Sequence, residues 1–345
     1  METQPRISVV IPTLGRPILV QTLNSLSRCI GFDRLDIYVC GEIHEPNVLR
    51  EVRALVAKFP NIKHLSVSFP AGDSSEKKNA GAREAKTDLV VFLDDDVVVA
   101  PDWPEKITAV FSDPSVGICS GPSLVPPDVG LFARLAGTAL SSPAAGYVAF
   151  RYTAGKTQPL AIKWSKIIGC NSAYRKKVWE EIKGFPADFW PGEEMIAAFR
   201  AQQAGHKLMF HPDAWVYHYP RQSPQKFWKQ MHGYGATRIR LVRAGVENEI
   251  STLAPMAWIA SLAALVPLAF FFPLARSLLG LDMALYLVVD LYVTLTMLAQ
   301  TKRAETALLL FVVPVMHLAY GIGSWIELFR PDKDLSERPA GAPPR

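Results

Sequence analysis

The chain has 345 residues, 49% of them hydrophobic and 20% charged, which is too long for one small domain and ample for a sizeable core. Mean hydropathy is +0.13, high for a wholly soluble protein, and the excess sits after residue 250, so a soluble part and a membrane part are expected. A net charge of +5 decides little alone, and four scattered cysteines without a C-x-x-C spacing argue against a disulfide framework or a zinc site and fit a reducing cytosol.

The first residues, "METQPRISVVIP", hold no long apolar stretch of the secretory kind. "ISVVI" reads as a strand and "PILVQTLNSLSRCI" as a helix opened by Pro17. "LDIYVC" is a second strand, Val48 to Phe59 a second helix, and "IKHLSVS" a third strand. Ser74 to Ala85 is a helix with serine at its entry, and "LVVFL" a fourth strand. This alternation predicts an α/β fold built on a parallel sheet.

Residues 123–158 are rich in Pro, Gly, Ala and Ser and read as loop or loosely helical surface, a candidate acceptor-side region. "IIGCNSAYRKKVWEEIKGF" then reads as strand, turn and short helix, and "GEEMIAAFRAQQAG" as a helix closed by Gly205. "HKLMFHPDAWVYHYP" reads as paired strand segments around Pro212.

Lys226, Lys229, Arg238, Arg240 and Arg243 precede the apolar region and read as a juxtamembrane basic segment facing anionic lipid. No nucleic-acid partner is expected. Leu253 to Leu274 carries no acidic or basic residue and is long enough to span a bilayer. Leu281 to Leu298 is shorter and holds Asp282 and Asp290; Thr306 to Ile326 is apolar apart from His317, a candidate partner for Asp290. Basic residues before the first span and at Lys302 and Arg303 place the catalytic part in the cytoplasm, as in an inner-membrane protein. The expected division is a catalytic domain over 1–225, a basic segment over 226–250, two to three spans over 251–330 and a disordered tail over 331–345.

The stretch "VVFLDDDVVV" sets three carboxylates where a buried strand ends. Like charges there repel unless a cation joins them, and ligands of open α/β sheets bind beyond the carboxyl ends of strands. On extended chain Asp94 and Asp96 point one way and Asp95 the other, so the outer two can share one Mg²⁺ or Mn²⁺.

In order, "SVVIPTLGRP", "SEKKNAGAREA", "VVFLDDDVVVAPDW", "GCNSAYRKKVWEEIKGFP", "PGEEMIAAFRAQQAG" and "HPDAWVYHYPRQSP" resemble the motifs of the family 2 glycosyltransferases over roughly residues 6 to 235. The resemblance implies the GT-A fold, a Rossmann-like and mostly parallel sheet, followed here by C-terminal transmembrane helices. It also implies inverting, metal-dependent sugar transfer from a nucleotide-diphosphate sugar to a hydroxyl of a lipid-linked or glycan acceptor. By this resemblance Asp94 and Asp96 are the outer acids of the DxD motif, with His218 completing the metal site for Mg²⁺ or Mn²⁺. Pro12, Thr13, Lys78, Asn79, Asp94 and Asp95 face the donor. Glu194 is the catalytic base and Glu193 a neighbour that orients the acceptor. Trp190 and Asn171 are candidates on the acceptor side.

Two departures stand out. Gly41 and Glu42 occupy the place of the usual Asp-Asp pair that contacts the base, so Glu42 is the candidate substitute. The catalytic motif ends in Glu194 rather than the commoner aspartate. "FWKQMHGYG" lacks the Arg-Trp ending of processive synthases, which favours single addition. Rival readings are a metal-dependent nucleotidyl- or phosphotransferase and a non-catalytic membrane scaffold that binds nucleotide sugar. A late helix with paired acids followed by a histidine-bearing strand argues against the first, and the complete set Asp94, Asp96, Glu194 and His218 against the second.

Overall fold

The computed structural model describes residues 5–69, 74–153, 158–187, 189, 191–247 and 249–330. They form two compact units, one gathering the chain to Pro126 with Thr153–Tyr219, the other Pro127–Tyr152 with the chain from Pro220.

The first unit is built on an eight-stranded sheet. Its strands are β1 (Ile7–Pro12), β2 (Leu35–Cys40), β3 (Ile62–Leu65), β4 (Leu89–Leu93), β6 (Val116–Ser120), β8 (Leu160–Ala161), β9 (Asn171–Arg175) and β10 (Lys207–Phe210). The spatial order is β3-β2-β1-β4-β9-β6-β10-β8. β1 to β4 run parallel, with Val9 between Ile37 and Val91. All six residues of β1 and all five of β4 are buried, as expected of a parallel sheet covered on both faces. Helices α1 (Ile18–Leu26), α2 (Pro46–Lys58) and α3 (Ser74–Glu84) make the crossovers, α4 (Trp103–Thr108) and α6 (Lys176–Glu181) are short helices of the same unit, and Leu19, Leu23 and Leu26 bring one face of α1 into the core. All four cysteines are buried and unbridged.

Two strand expectations change. β9 runs antiparallel to both its neighbours, β4 and β6. The segments around Pro212 do not pair with each other. β10 buries Leu208 and Phe210 in the main sheet beside β6. A turn closed by the Ala214 amide on the His211 carbonyl then redirects the chain into β11 (Val216–His218). β11 lies in a second sheet between β5 (Val97–Val99) and β7 (Ser123–Leu124). Its register sets His218 opposite Val97, one residue past Asp96.

The second unit joins α5 (Leu131–Ser141) to α8 (Pro224–Arg243), α9 (Leu253–Leu268), α10 (Pro273–Thr301) and α11 (Leu309–Leu328). The stretch expected to be loop is thus largely ordered: α5 is followed by 3₁₀ turns over Pro143–Tyr152. Leu135, Ala136, Ala139 and Leu140 fall on one helical face and pack with Phe227, Met231, Val313 and Met316. α8 and α11 touch backbone to backbone. A Cβ on Gly235 would lie 2.0 Å from the Tyr320 carbonyl, and one on Gly323 would lie 2.1 Å from that of His232.

Three helical stretches, Ile250–Leu268, Pro273–Thr301 and Ala304–Leu328, are long and apolar enough to cross a membrane. The middle one, expected to be short, is the longest at 29 residues, because Pro273 opens a new helix where the first span was expected to continue. Arg238 and Arg240 do not face lipid. Both are buried; Arg238 donates to the Tyr147 hydroxyl, and Arg240 lies 3.9 Å from Glu327. Lys226 and Lys229 remain exposed. Asp290 and His317 do not pair. The imidazole meets the Tyr286 hydroxyl at 2.9 Å and the Ala144 carbonyl at 2.9 Å, so both ring nitrogens are engaged.

These contacts predict the fate of a chain cut after residue 248. It loses α9 to α11 and bares Leu135, Leu140, Phe227 and Met231, each worth about 1.5–3 kcal/mol when buried. The truncated chain is expected to pellet or aggregate without detergent. A monodisperse peak on size-exclusion chromatography would contradict this.

Candidate active site

The parallel strands β1, β2 and β4 end along one edge of the sheet, and Thr13, Gly41 and Asp94 lie just beyond those ends. Gly41 has φ 145, and a Cβ there would lie 2.2 Å from the Thr13 carbonyl oxygen, so only glycine lets the two chain ends approach this closely.

The three acids lie between β4 and β5, Asp95 and Asp96 in a turn rather than on extended chain, so the expected alternation of a strand does not apply, and Asp95 and Asp96 share Arg16. Asp95 turns toward the loop after β1. Its Oδ2 accepts from Thr13 Oγ1 at 2.7 Å and from the Leu14 amide at 3.4 Å, and its other oxygen accepts from Arg16. Its backbone carbonyl is held by Thr22 Oγ1 at 2.9 Å. Asp96 sits between Arg16 Nη2 and His218 Nε2, each at 3.0 Å. Asp94, Asp96 and His218 offer ligand atoms that all lie within 4.8 Å of one another.

Charge is concentrated here. Burial raises the Asp94 carboxyl above the ordinary aspartate range; Lys78 opposes that shift, while Asp96 and Asp95 add to it. Desolvation works against a charged His218, but Asp96 beside it outweighs that and holds the imidazole well above its usual value. Arg16 likewise stays protonated, because Asp96 and Asp95 overcome its partial burial. Two carboxylates and an imidazole suit a borderline-hard divalent ion such as Mn²⁺, and the acids with water would also suit Mg²⁺. The donor set therefore fits the implied cation.

Several residues expected at the donor or acceptor face inward instead. The Lys78 ammonium, expected to face the donor, is enclosed, 3.0 Å from Glu193 Oε1 and over the Phe185 ring. Asn79 pairs both ways with the Phe185 backbone, at 2.8 and 3.0 Å, and fastens that loop. Asn171 is fully buried: its carbonyl oxygen accepts from Trp103 Nε1 at 2.9 Å and its amide donates to Ala214 O at 2.8 Å. Both its carbonyl and its amide group are thus bonded within the protein. Glu193, expected to orient the acceptor, is buried too, and its Oε2 accepts from the Gly192 amide at 3.1 Å. In each case a buried polar group must find a partner, and the partner is protein.

Glu194 differs. It opens α7 (Glu193–Gln203) after Gly192, whose φ of 107 is a left-handed conformation suited to glycine. It is partly exposed, and its carboxylate lies against Gly169, where a Cβ would come within 3.3 Å of its Cδ. Its charge is felt at Lys78. Glu42 is partly exposed past β2, with His44 at 3.3 Å, and Pro12 ends β1. Trp190 lies outside the described residues.

Arg16, Lys77 and Gly169 also lie at the site, although no motif assigns them a role in the sequence. Lys77 donates to the Thr13 carbonyl at 2.9 Å. Arg16 had a signal of its own, a cation between glycine and proline in the loop leaving the first strand. Gly169 had none beyond being a glycine ahead of β9.

A mostly parallel sheet with an acidic cluster at its carboxyl edge and an acid-opened helix opposite defines the GT-A class of glycosyltransferase fold. The chain belongs to the family described as "Glycosyltransferase like family 2", whose model matches residues 5–233, and it is a family 2 glycosyltransferase. It is 27% identical over 199 residues to the O-antigen chain rhamnosyltransferase RfbN of Salmonella typhimurium, covering 54% of this chain and 58% of that one. It is 30% identical over 174 residues to the O-antigen chain rhamnosyltransferase WbaN of Salmonella anatum, covering 49% and 53%. The pre-mycofactocin glycosyltransferase of Mycobacterium tuberculosis (strain H37Rv) is 27% identical, covering 53% and 38%. The chain thus spans about half, or less, of the length of these curated relatives. Among solved structures, the mannosyltransferase PcManGT from Pyrobaculum calidifontis, in complex with GDP-Man and Mn²⁺, superposes with a TM-score of 0.64 at 18% identity. That match covers 95% of this chain and 88% of the other, and it speaks to the fold alone.

Proposed function

We propose that this glycosyltransferase is metal-dependent and inverting. It moves a sugar from a nucleotide-diphosphate donor to a hydroxyl of a lipid-linked or glycan acceptor at the membrane. The observation that carries this reading is the convergence of Asp94, Asp96 and His218 within 4.8 Å at the carboxyl edge of the sheet. Asp94, Asp96 and His218 would hold Mn²⁺ or Mg²⁺. When bound, the ion supplies positive charge to the departing diphosphate.

The chain's own residues do the rest. Thr13 and the Leu14 amide fix Asp95, which keeps the end of β4 in register with the nucleotide loop. Glu42 lies past the end of β2, where the nucleobase is expected. Glu194 accepts the proton of the acceptor hydroxyl as that oxygen attacks the anomeric carbon from the face opposite the leaving group. One displacement of that kind inverts the anomeric centre and needs no covalent sugar–enzyme intermediate. The buried Lys78–Glu193 pair holds the N-terminus of α7 and with it Glu194.

Two relatives are named for O-antigen chains, which supports a glycan acceptor, and the three apolar helices support one near a membrane. The exposed Lys226 and Lys229 ahead of the first span, with Lys302 and Arg303 between the second and third, support a catalytic unit on the cytoplasmic face of the inner membrane.

A donor-hydrolysis screen of the full-length protein in detergent tests the reading. Nucleotide-diphosphate sugars of rhamnose, mannose, glucose and N-acetylglucosamine are incubated with Mn²⁺, Mg²⁺ or chelator. Release of nucleoside diphosphate from one donor class, abolished by chelation, is expected. Equal release with chelator would remove the metal from the reading.

A further inference from the structure

Both side-chain oxygens of Asp96 are engaged. Oδ1 meets His218 Nε2, and Oδ2 accepts from Arg16 Nη2, each at 3.0 Å. The same guanidinium bonds Asp95. Arg16 lies in the loop between β1 and α1, where Gly15 turns the chain with φ 71. The Arg16 side chain is 44% exposed, against 5% for Asp95 and 11% for Asp96, so it covers the acids from the solvent side.

Three successive acids cannot share an enclosed site without positive charge nearby. Lys78 is tied to Glu193, and among the described residues Arg16 is the side chain that bridges Asp95 and Asp96, while His218 meets the other oxygen of Asp96. Asp95 does not depend on it, since Thr13 and the Leu14 amide also hold that carboxylate. For Asp96, by contrast, Arg16 occupies one oxygen of a carboxylate that belongs to the candidate metal set.

We propose that Arg16 is a built-in counter-ion of the acidic site. It competes with a divalent cation for Asp96 and transfers to the donor's diphosphate when metal and nucleotide enter together. The inference rests on the metal-dependent reading above. A guanidinium fork matches paired carboxylates and phosphate oxygens alike, and the arm is long and half in solvent. A divalent ion that shares Asp96 with Arg16 meets its repulsion. Once a diphosphate offers the fork new acceptors, that opposition ends. Free metal should therefore bind weakly, and a nucleoside diphosphate should strengthen it.

The test is Mn²⁺ titration of the full-length protein in detergent, followed by loss of the free-ion EPR signal, alone and with UDP, GDP or dTDP. Arg16→Gln should bind Mn²⁺ alone about tenfold more tightly than wild type, because a positive neighbour is gone. It should also gain less from nucleotide. Arg16→Lys keeps the charge but cannot bridge two carboxylates, so it should lie between. Mn²⁺ affinity of Arg16→Gln equal to or below wild type overturns the proposal; if that variant does not fold, an Arg16→Lys affinity no higher than wild type does the same. Those results leave the metal reading standing when wild type itself binds Mn²⁺. Absence of Mn²⁺ binding in wild type under every condition removes both.

Discussion

Asp96→Ala is expected to abolish sugar transfer and to remove any Mn²⁺-dependent tightening of nucleoside diphosphate binding. Asp96 is the acid that links His218 to Arg16: one oxygen faces the imidazole and the other the guanidinium. Its loss takes away a ligand of the candidate metal set and also the carboxylate that holds His218 well above the ordinary histidine range. The imidazole then returns toward its usual value, and Arg16 retains Asp95 alone. Isothermal titration of nucleoside diphosphate with and without Mn²⁺ measures the effect. Wild type should bind more tightly with the ion, and Asp96→Ala should bind equally with or without it. Equal affinity with and without Mn²⁺ in the wild type would sink the metal assignment.

Glu194→Gln should keep donor affinity and lower turnover by about 10²-fold or more, the usual cost of losing a general base. Its neighbour separates the two roles. Glu193 is buried against Lys78, so Glu193→Gln takes the nearest of the carboxylates that act on Lys78 away from an enclosed ammonium, at a cost of up to about 3–5 kcal/mol. That variant should melt at lower temperature and lose donor binding as its fold loosens, whereas Glu194→Gln should melt like wild type. Paired measurements of kcat, donor Kd and Tm distinguish them. A normally folded Glu193→Gln with crippled turnover, beside a near-normal Glu194→Gln, would reverse the assignment.

Much of the candidate site could be located in the sequence because its parts are local. Asp94, Asp95 and Asp96 follow an unbroken apolar strand, whose end marks the carboxyl edge of the sheet; the turn that places Asp95 and Asp96 was not part of that local pattern. Gly192 and Glu194 sit at a helix entry that the following apolar spacing marks. The inward-facing residues could not be read this way. Lys78 and Glu193 stand 115 positions apart, and nothing in either neighbourhood announces that they meet. Asn171 resembles any strand-end asparagine until Trp103 and Ala214 are seen to take up its side chain. Arg238 and Arg240 look like a basic membrane-facing patch until Tyr147 and Glu327 are placed beside them.

By itself the amino-acid sequence determined the alternation of strands and helices to Leu93, the acid-bearing strand end, and the apolar segments after residue 250. Each depends on periodicity or side-chain type within a short window. Tertiary structure decided what lies across from what. It sent β11 out of the main sheet to pair with β5, which is what sets His218 beside Asp96. It turned β9 antiparallel, gathered residues 127–152 with the apolar helices, and enclosed Lys78 while leaving Arg16 over the acids. The physical reason is common to all four. Strand partners and the partners of buried charges are set by the free energy of packing and desolvation between segments far apart in the chain, which no local pattern encodes.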